Sequence, residues 1–357
     1  MIGQRLKIAR HAAGLSLRGL SDRIGNLVTP QAIGKYERDE DMPGSKVLLA
    51  LSTALSVSPE YLMGDETLVL EGMDFRRKAE IGRRLEAQLQ ARALDRLERY
   101  LMVEETLALP SVSWDQPREA PYPVTSVADA DHAAQRLRTA WGLGRDPIPN
   151  LVELLEERGI KIHVELLDPS IDGLLARVRR SDGPALPVIV VNGTHWGERQ
   201  RFTLAHELAH LVLDVPASMN AEKAAHRFAG AFLMPAETIW AEIGKHRTSI
   251  SIAELLALKH LFGTSLQAIT YRLRDLSVVP EALFKSLFDV FTERGWRSPP
   301  YEEPDAIKEG EKPQRFARLC YRALSEGVIS EAKTAELLGI SVHVLSQQLD
   351  NSDTAAT

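Results

Sequence analysis

Two proline-rich stretches divide this chain, and no fold that runs a single core from end to end accommodates them. Pro110, Pro117, Pro121 and Pro123 fall within PSVSWDQPREAPYP, and Pro299, Pro300, Pro304 and Pro313 punctuate SPPYEEPDAIKEGEKP. Proline removes a backbone donor and fixes φ, so neither stretch continues a helix or a central strand, and both read as linkers or extended surface segments. The 357 residues also exceed the roughly 100–200 that one domain usually holds, so several units are expected. With 44% hydrophobic and 26% charged residues the composition is that of a soluble globular protein, and no apolar run approaches the roughly 18 residues of a membrane span. MIGQRLKIARHAAG lacks the continuous apolar stretch of a secretory signal. A single cysteine, Cys320, excludes an internal disulfide and any cysteine-cluster metal site, and the expected location is the reducing cytoplasm, with no membrane partner.

The net charge of −6 hides an asymmetry: residues 1–64 hold eight Lys+Arg against six Asp+Glu, a surplus of +2, which leaves −8 for the remainder. Phosphate binding depends on where cations sit more than on their total, so this is a weak pointer to nucleic acid by itself. From Glu71 to Thr106 the residues Ile81, Leu85, Leu89, Leu97 and Leu101 recur at multiples of four, which predicts one long amphipathic helix that connects or dimerises domains. A second set of DNA contacts from Arg76, Arg77 and Lys78 is the lesser reading. The middle begins with a helix over Asn150 to Arg158 and β-branched runs at Ile160 to Val164, Leu174 to Val178 and Val188 to Val191; after Arg199 the pattern is helical. Strands first and helices afterwards predict an α+β domain. Another helical pair is expected around Leu338-Gly339-Ile340-Ser341.

The first 64 residues read as short helices with tight turns. Ser16 precedes LRGLSDRI as an N-cap, Gly25 ends that helix, and Thr29 followed by Pro30 opens the next. Leu15, Leu20, Ile24, Val28, Ile33, Leu48, Leu51 and Leu55 are placed to close a small core, which leaves Gln31, Lys35 and Arg38 outside it, with Pro30 and Gly34 expected on the same outer face. The strings GQRLKIARHAAGLSLRGLSDRIG and VTPQAIGKYERDEDMPGSKVLLALSTALSVSPEYLMG resemble the lambda-repressor-like helix-turn-helix of the Xre family over nearly its whole length. The resemblance implies a helix in the major groove of double-stranded operator DNA. Gln31 and Lys35 would reach the groove, Ser16, Arg18 and Lys46 the phosphates, and Thr29 is counted with these DNA contacts; Tyr36 and Glu37 would hold the helix on its neighbours.

The sharpest chemical signal is His206-Glu207-Leu208-Ala209-His210. At this content of histidine and glutamate an H-E-x-x-H string arises by chance about 0.02 times per chain, so coincidence explains it poorly. Positions i and i+4 share one face of a helix, which lets both imidazoles reach one Zn²⁺, while Glu207 lies beside the ion as general base. A third ligand is needed, and Asp214, Glu222 and His226 are the candidates downstream; Asp214 would equally serve as an acceptor for an imidazole N–H. Glu222 opens a helix, EKAAHRFAGAFLM, whose Ala225, Phe228, Ala229 and Phe232 would pack on the first.

RFTLAHELAHLVLD followed by EKAAHRFAGAFLMP resembles the ImmA/IrrE family of zinc metallopeptidases, and the likeness extends over roughly residues 130–280. It implies His206, His210 and Glu222 as ligands and Glu207 as general base. Where the family usually has an acidic or amide residue two positions after that glutamate, this chain has Ala224. Tyr271 and Arg272 are candidate oxyanion donors, with packing the better reading. The expected fold is multidomain and mainly α: a helix-turn-helix domain over 1–66, a linker helix over 71–109, an α+β zincin-like metallopeptidase domain over 125–285 and a C-terminal helical module over 314–351. The fusion resembles single-chain regulators that cleave repressors or act in stress responses and toxin–antitoxin operons. It implies a homodimeric, DNA-binding regulator whose zinc endopeptidase cuts a specific partner such as a repressor; the alternative is an autorepressor or antitoxin that binds its partner, a toxin, without cutting it.

Overall fold

The computed structural model describes residues 2–64, 68–73, 83–110, 113–179 and 185–354. The chain forms two compact units, one of Met1–Ser113, Ala176–Val188 and Gln314–Thr357, the other of Trp114–Leu175 and Ile189–Pro313. The fold is mainly α and multidomain, as expected.

The first unit opens with α1 (Ile2–Ala12), α2 (Leu17–Arg23), α3 (Pro30–Glu37), α4 (Ser45–Leu55) and α5 (Pro59–Met63). Leu6, Leu20, Ile33 and Leu51 are its buried centre, with Leu15, Ile24, Val28 and Leu48 packed against them. The turn between α2 and α3 is written in its caps: Ser16 Oγ accepts from Gly19 N at 2.9 Å, Thr29 Oγ1 accepts from Ala32 N at 3.2 Å, and Pro30 sits at the first helical position. Glu37 receives Arg10 in a fork, Nε to Oε1 at 2.5 Å and Nη2 to Oε2 at 2.8 Å. That pair, with buried Tyr36, holds α3 on α1. Gly34 is not on the outer face. It is buried, and a Cβ there would meet Arg38 Nη1 at 3.3 Å and Leu17 Cδ1 at 3.6 Å, so it marks the close approach of α3 to α2.

The helix expected over 71–109 is shorter. Residues Val69–Met73 form strand β1, antiparallel to residues 176–179 with a bulge between Leu70 and Gly72, and α6 runs Arg83–Thr106. A ladder partner outweighs local helical preference there. Arg76, Arg77, Lys78 and Ile81 lie outside the described residues. Nor is α6 a free connector: Leu89, Leu94, Leu97, Leu101 and Val103 are buried, and α1 packs on it. Helices α15 (Arg315–Ser325), α16 (Glu331–Leu338) and α17 (Val342–Thr354) complete this unit. Phe316, Leu319, Cys320, Ala323 and Leu337 share one core with Tyr100, Val103 and Leu107, so residues 314–351 belong to the same unit as α6 and do not stand as a separate module.

The second unit contains β2 (Tyr122–Pro123), α7 (Asp129–Ala140), α8 (Leu151–Glu157), β3 (Lys161–Glu165) and the inner ends of β4 (Gly173–Arg179) and β5 (Leu186–Asn192), with β5 between β4 and β3. Helix α9 (Gly197–Val212), β6 (Leu213–Asp214), α10 (Ala221–Leu233), α11 (Ala236–Ile243), α12 (Ile252–Phe262), α13 (Leu266–Asp275) and α14 (Glu281–Glu293) follow. The core joins Leu204, Leu208 and Val212 of α9 to Phe228, Ala229 and Phe232 of α10, Leu137 of α7 and Leu273 of α13. Neither proline-rich stretch is a loose linker. Tyr122 is buried beneath the Arg136 guanidinium, 4.6 Å from its ring centre, and β2 pairs in parallel with β6. Residues 300–313 form a strap: the buried Glu303 accepts from Lys259 Nζ at 3.2 Å and Leu266 N at 2.6 Å, Ile307 O accepts from Gly197 N at 2.6 Å, and Glu311 pairs with Arg201. Glu303 and Glu311 find buried donors, which composition alone does not reveal.

Candidate metal centre and nucleic-acid interface

The site is built by two packed helices. His206 and His210 lie one turn apart on α9, and α10 starts beside them because Asn220 Oδ1 caps it, accepting from Lys223 N at 3.1 Å. Ala225, Phe228, Ala229 and Phe232 pack α10 on α9 as the sequence predicts, and Glu222 in the first turn then faces both imidazoles. His206 Nε2 is 3.2 Å from His210 Nε2, 3.2 Å from Glu222 Oε2, and His210 Nε2 is 3.4 Å from Glu222 Oε1.

These spacings test whether a metal fits. Donors held at about 2.0–2.1 Å in a tetrahedron lie about 3.3 Å from one another. The separation of the two imidazole nitrogens matches that figure, each of them has one of the two Glu222 oxygens at 3.2 or 3.4 Å, and the three residues form a group among the described residues whose ligand atoms lie close enough to hold one ion. Charge agrees with geometry. Burial, the largest influence, pushes the His206 imidazole down to about 4, so at neutral pH the ring is uncharged and offers a lone pair. Contacts with His206 and His210 hold the Glu222 carboxyl well below the usual carboxylate range, so it stays ionised. Glu207 is half-buried on the same helix, next to the first histidine.

The other sequence candidates fall elsewhere. Helix α9 ends at Val212, and Asp214 is exposed in β6 opposite Pro123, so it is not one helical turn beyond His210 and does not join the group. His226 stacks edge-on against His206, ring centres 4.5 Å apart, with its Nδ1 2.7 Å from Glu222 O; it lies beside the centre but outside the ligand group. Arg272 is buried, pairs with Asp131 and donates to Met234 O at 2.9 Å, while Tyr271 packs on Phe284 and Phe288, so both have packing roles.

Sequence reading missed what holds α10 in place. Asp131 of α7 receives both Arg227 of α10 and Arg272 of α13, Arg227 also reaches Asp275 Oδ1 at 2.9 Å, and Arg138 donates to Phe232 O at 2.7 Å. No spacing rule links these residues; their charge at otherwise apolar helix faces was the one available sign.

In the first unit all six residues singled out for DNA are exposed: Ser16, Arg18, Thr29, Gln31, Lys35 and Lys46. Gln31, Lys35 and Arg38 lie on the outer face of α3, although Arg38 is tied to Glu40 through Nε–Oε1 at 2.7 Å. Ser16 and Thr29 use their oxygens as cap acceptors, which leaves each hydroxyl proton to donate outward. Among the described residues no helix is long and apolar enough to cross a membrane.

The fold and site thus define a helix-turn-helix protein whose second unit groups two histidines and a glutamate closely enough to hold a metal ion. Known families divide along the same line: residues 6–62 match the helix-turn-helix family and residues 155–274 the IrrE N-terminal-like domain of the M78 peptidases. The chain carries an Xre-type helix-turn-helix domain followed by an IrrE/ImmA-type peptidase domain. Over 63 residues it is 40% identical to the SPbeta prophage-derived uncharacterized HTH-type transcriptional regulator YonR of Bacillus subtilis (strain 168), a stretch amounting to 18% of this chain and 56% of that relative. The chain therefore spans about half the length of the curated relative it matches.

Proposed function

We propose that the protein is a cytoplasmic, homodimeric, operator-binding regulator whose second unit is a zinc-dependent endopeptidase acting on one specific protein, a repressor-like partner. The observation that carries the peptidase half is the convergence of the His206, His210 and Glu222 side chains to within 3.2–3.4 Å of one another, with Glu207 adjacent. His206, His210 and Glu222 would hold Zn²⁺, which when bound supplies Lewis-acid polarisation of the scissile carbonyl. The Glu207 carboxylate takes a proton from the attacking water and returns it to the leaving amide nitrogen. Burial keeps His206 neutral and the two histidine contacts keep Glu222 ionised, the protonation states a cation requires. Exposed Lys35 and Gln31 on α3 support the DNA half.

The test is Glu207→Gln, which keeps shape and removes the base. The variant should bind zinc and operator as wild type does, while cleavage of the co-purifying partner falls by at least about a hundredfold. Partner cleavage at the wild-type rate would overturn the endopeptidase reading.

A further inference from the structure

The first unit has an open cleft of about 600 Å³ that the functions above leave unused, within the roughly 300–1,000 Å³ range of small-molecule sites. Its walls are the DNA-binding helices α1, α2 and α4 on one side, and α6 with the end of α16 on the other. Alanines at 12, 13 and 54 keep the near wall low.

Three guanidinium groups line it, from Arg23, Arg92 and Arg99. Arg99 is fixed on two sides: its Nε lies 3.1 Å from Asp95 Oδ2 and its Nη1 donates to Glu336 O at 3.0 Å. Arg92 donates through Nε to Ala12 O at 3.1 Å. The two carboxylates of the lining are already matched, Asp95 by Arg99 and Glu336 by Lys333 at 3.1 Å. Arg23 has no hydrogen-bond or ion-pair partner among the described residues. The surplus at this cleft is positive, and arginine forks select oxyanions.

The same walls connect to the helix-turn-helix core. Glu336, whose carbonyl holds Arg99, accepts from Ser58 N at 3.1 Å through Oε1, and Lys333 Nζ donates to Ser58 Oγ at 3.2 Å. Ser58 is the N-cap of α5. Ser56, also in the wall, ends α4 with a left-handed φ of 56°.

We propose that this cleft is an effector site for a small anion bearing a carboxylate or phosphate group, and that filling it alters operator affinity. The second half rests on the helix-turn-helix reading; the first does not. The test uses the full chain with citrate and inorganic phosphate as probes, by calorimetry at fixed ionic strength and without DNA. At least one of them should bind saturably at one site per chain, and the difference between the two arms identifies the preferred oxyanion. Arg23→Gln should weaken that binding at least tenfold, and Ala13→Trp, which blocks the cleft from its exposed rim, should abolish it; thermal unfolding of both variants checks that the fold is kept. Absence of saturable binding by either anion, or unchanged binding in both variants, overturns the site. Operator titrations with and without the bound anion then test the coupling: a shift of threefold or more supports it, and identical affinities overturn it. Failure of the wild type to bind operator both with and without the anion would instead count against the helix-turn-helix reading.

Discussion

At the residue scale the centre depends on where three donors point and on what keeps each in the correct protonation state. His206 is held neutral by burial and Glu222 ionised by its two histidine contacts. If the three residues are the zinc ligands proposed above, removing either histidine leaves two, and two do not hold zinc against competition from water. His206→Ala and His210→Ala should therefore each lower zinc affinity by more than the about 10–100-fold that losing a supporting partner causes. Metal analysis of the purified variants checks this, and stoichiometric zinc in both would sink the ligand assignment. Glu222→Gln should do the same, whereas His226→Ala, which removes a neighbour of His206 outside the ligand group, should leave one zinc per chain.

Elements set the reach of sequence reading. The centre was legible because its parts are local: H-E-x-x-H is a spacing within α9, and the apolar period of α10 aims Glu222 at α9 without long-range information. The six outward-facing residues of the helix-turn-helix were legible for the same reason, since caps at Ser16 and Thr29 fix both helix starts. What joins the elements was not. Asp131 meets Arg227 and Arg272 across 96 and 141 residues of sequence, and Glu303 in a proline-rich acidic run is no different on paper from a solvated glutamate. The Lys259–Glu198–Glu303 cluster is almost wholly buried, with Lys259 2.8 Å from Glu198 and 3.2 Å from Glu303. Glu303→Ala leaves Lys259 paired with Glu198 but strips the acceptor from the backbone N–H of Leu266 and Gln267, so it should destabilise the second unit by about 1–3 kcal/mol for each donor left unsatisfied, read by denaturant unfolding. A loss under about 1 kcal/mol, the range of exposed pairs, would show that the strap does not hold the unit together. Helix α7 offers a pH-dependent counterpart. Asp129 accepts from the Thr125 hydroxyl at 2.7 Å, Ser126 N at 2.8 Å and Thr125 N at 2.9 Å, bonds that pull its carboxyl down to about 2. Its folded value is below its unfolded one, so the stability it contributes is complete above pH of about 4 and is lost as pH falls through about 2. Carboxyl-carbon NMR should find this midpoint, and Asp129→Asn should remove that part of the acid dependence; an ordinary titration near 4 would refute it.

At the scale of the whole molecule, the chain has one unit equipped for nucleic acid and another for a metal, and the first includes the C-terminal helices that share a core with α6. The total charge of −6 opposes DNA, so the proposed operator binding would draw on exposed cations such as Arg18, Lys35 and Lys46 and on the helix that carries Gln31. Salt then reports the phosphate contacts, and sequence preference separates a specific from a diffuse interaction. An operator bound by a dimer should be a pseudo-palindrome with half-sites about one helical turn apart, and the log of affinity should fall steeply and linearly with log salt as counterions are released. Lys35 is exposed on α3 and outside the core, so Lys35→Ala should leave the thermal midpoint in place. If the side chain reads a base edge, its loss should weaken operator binding by about 1–3 kcal/mol and relax preference at one position; if it meets a phosphate, affinity should fall equally on all sequences and the salt slope should drop by about one. Wild-type protein that binds random duplex as tightly as any selected sequence would overturn the regulator assignment at its root, because the outward face of α3 would then carry charge without reading.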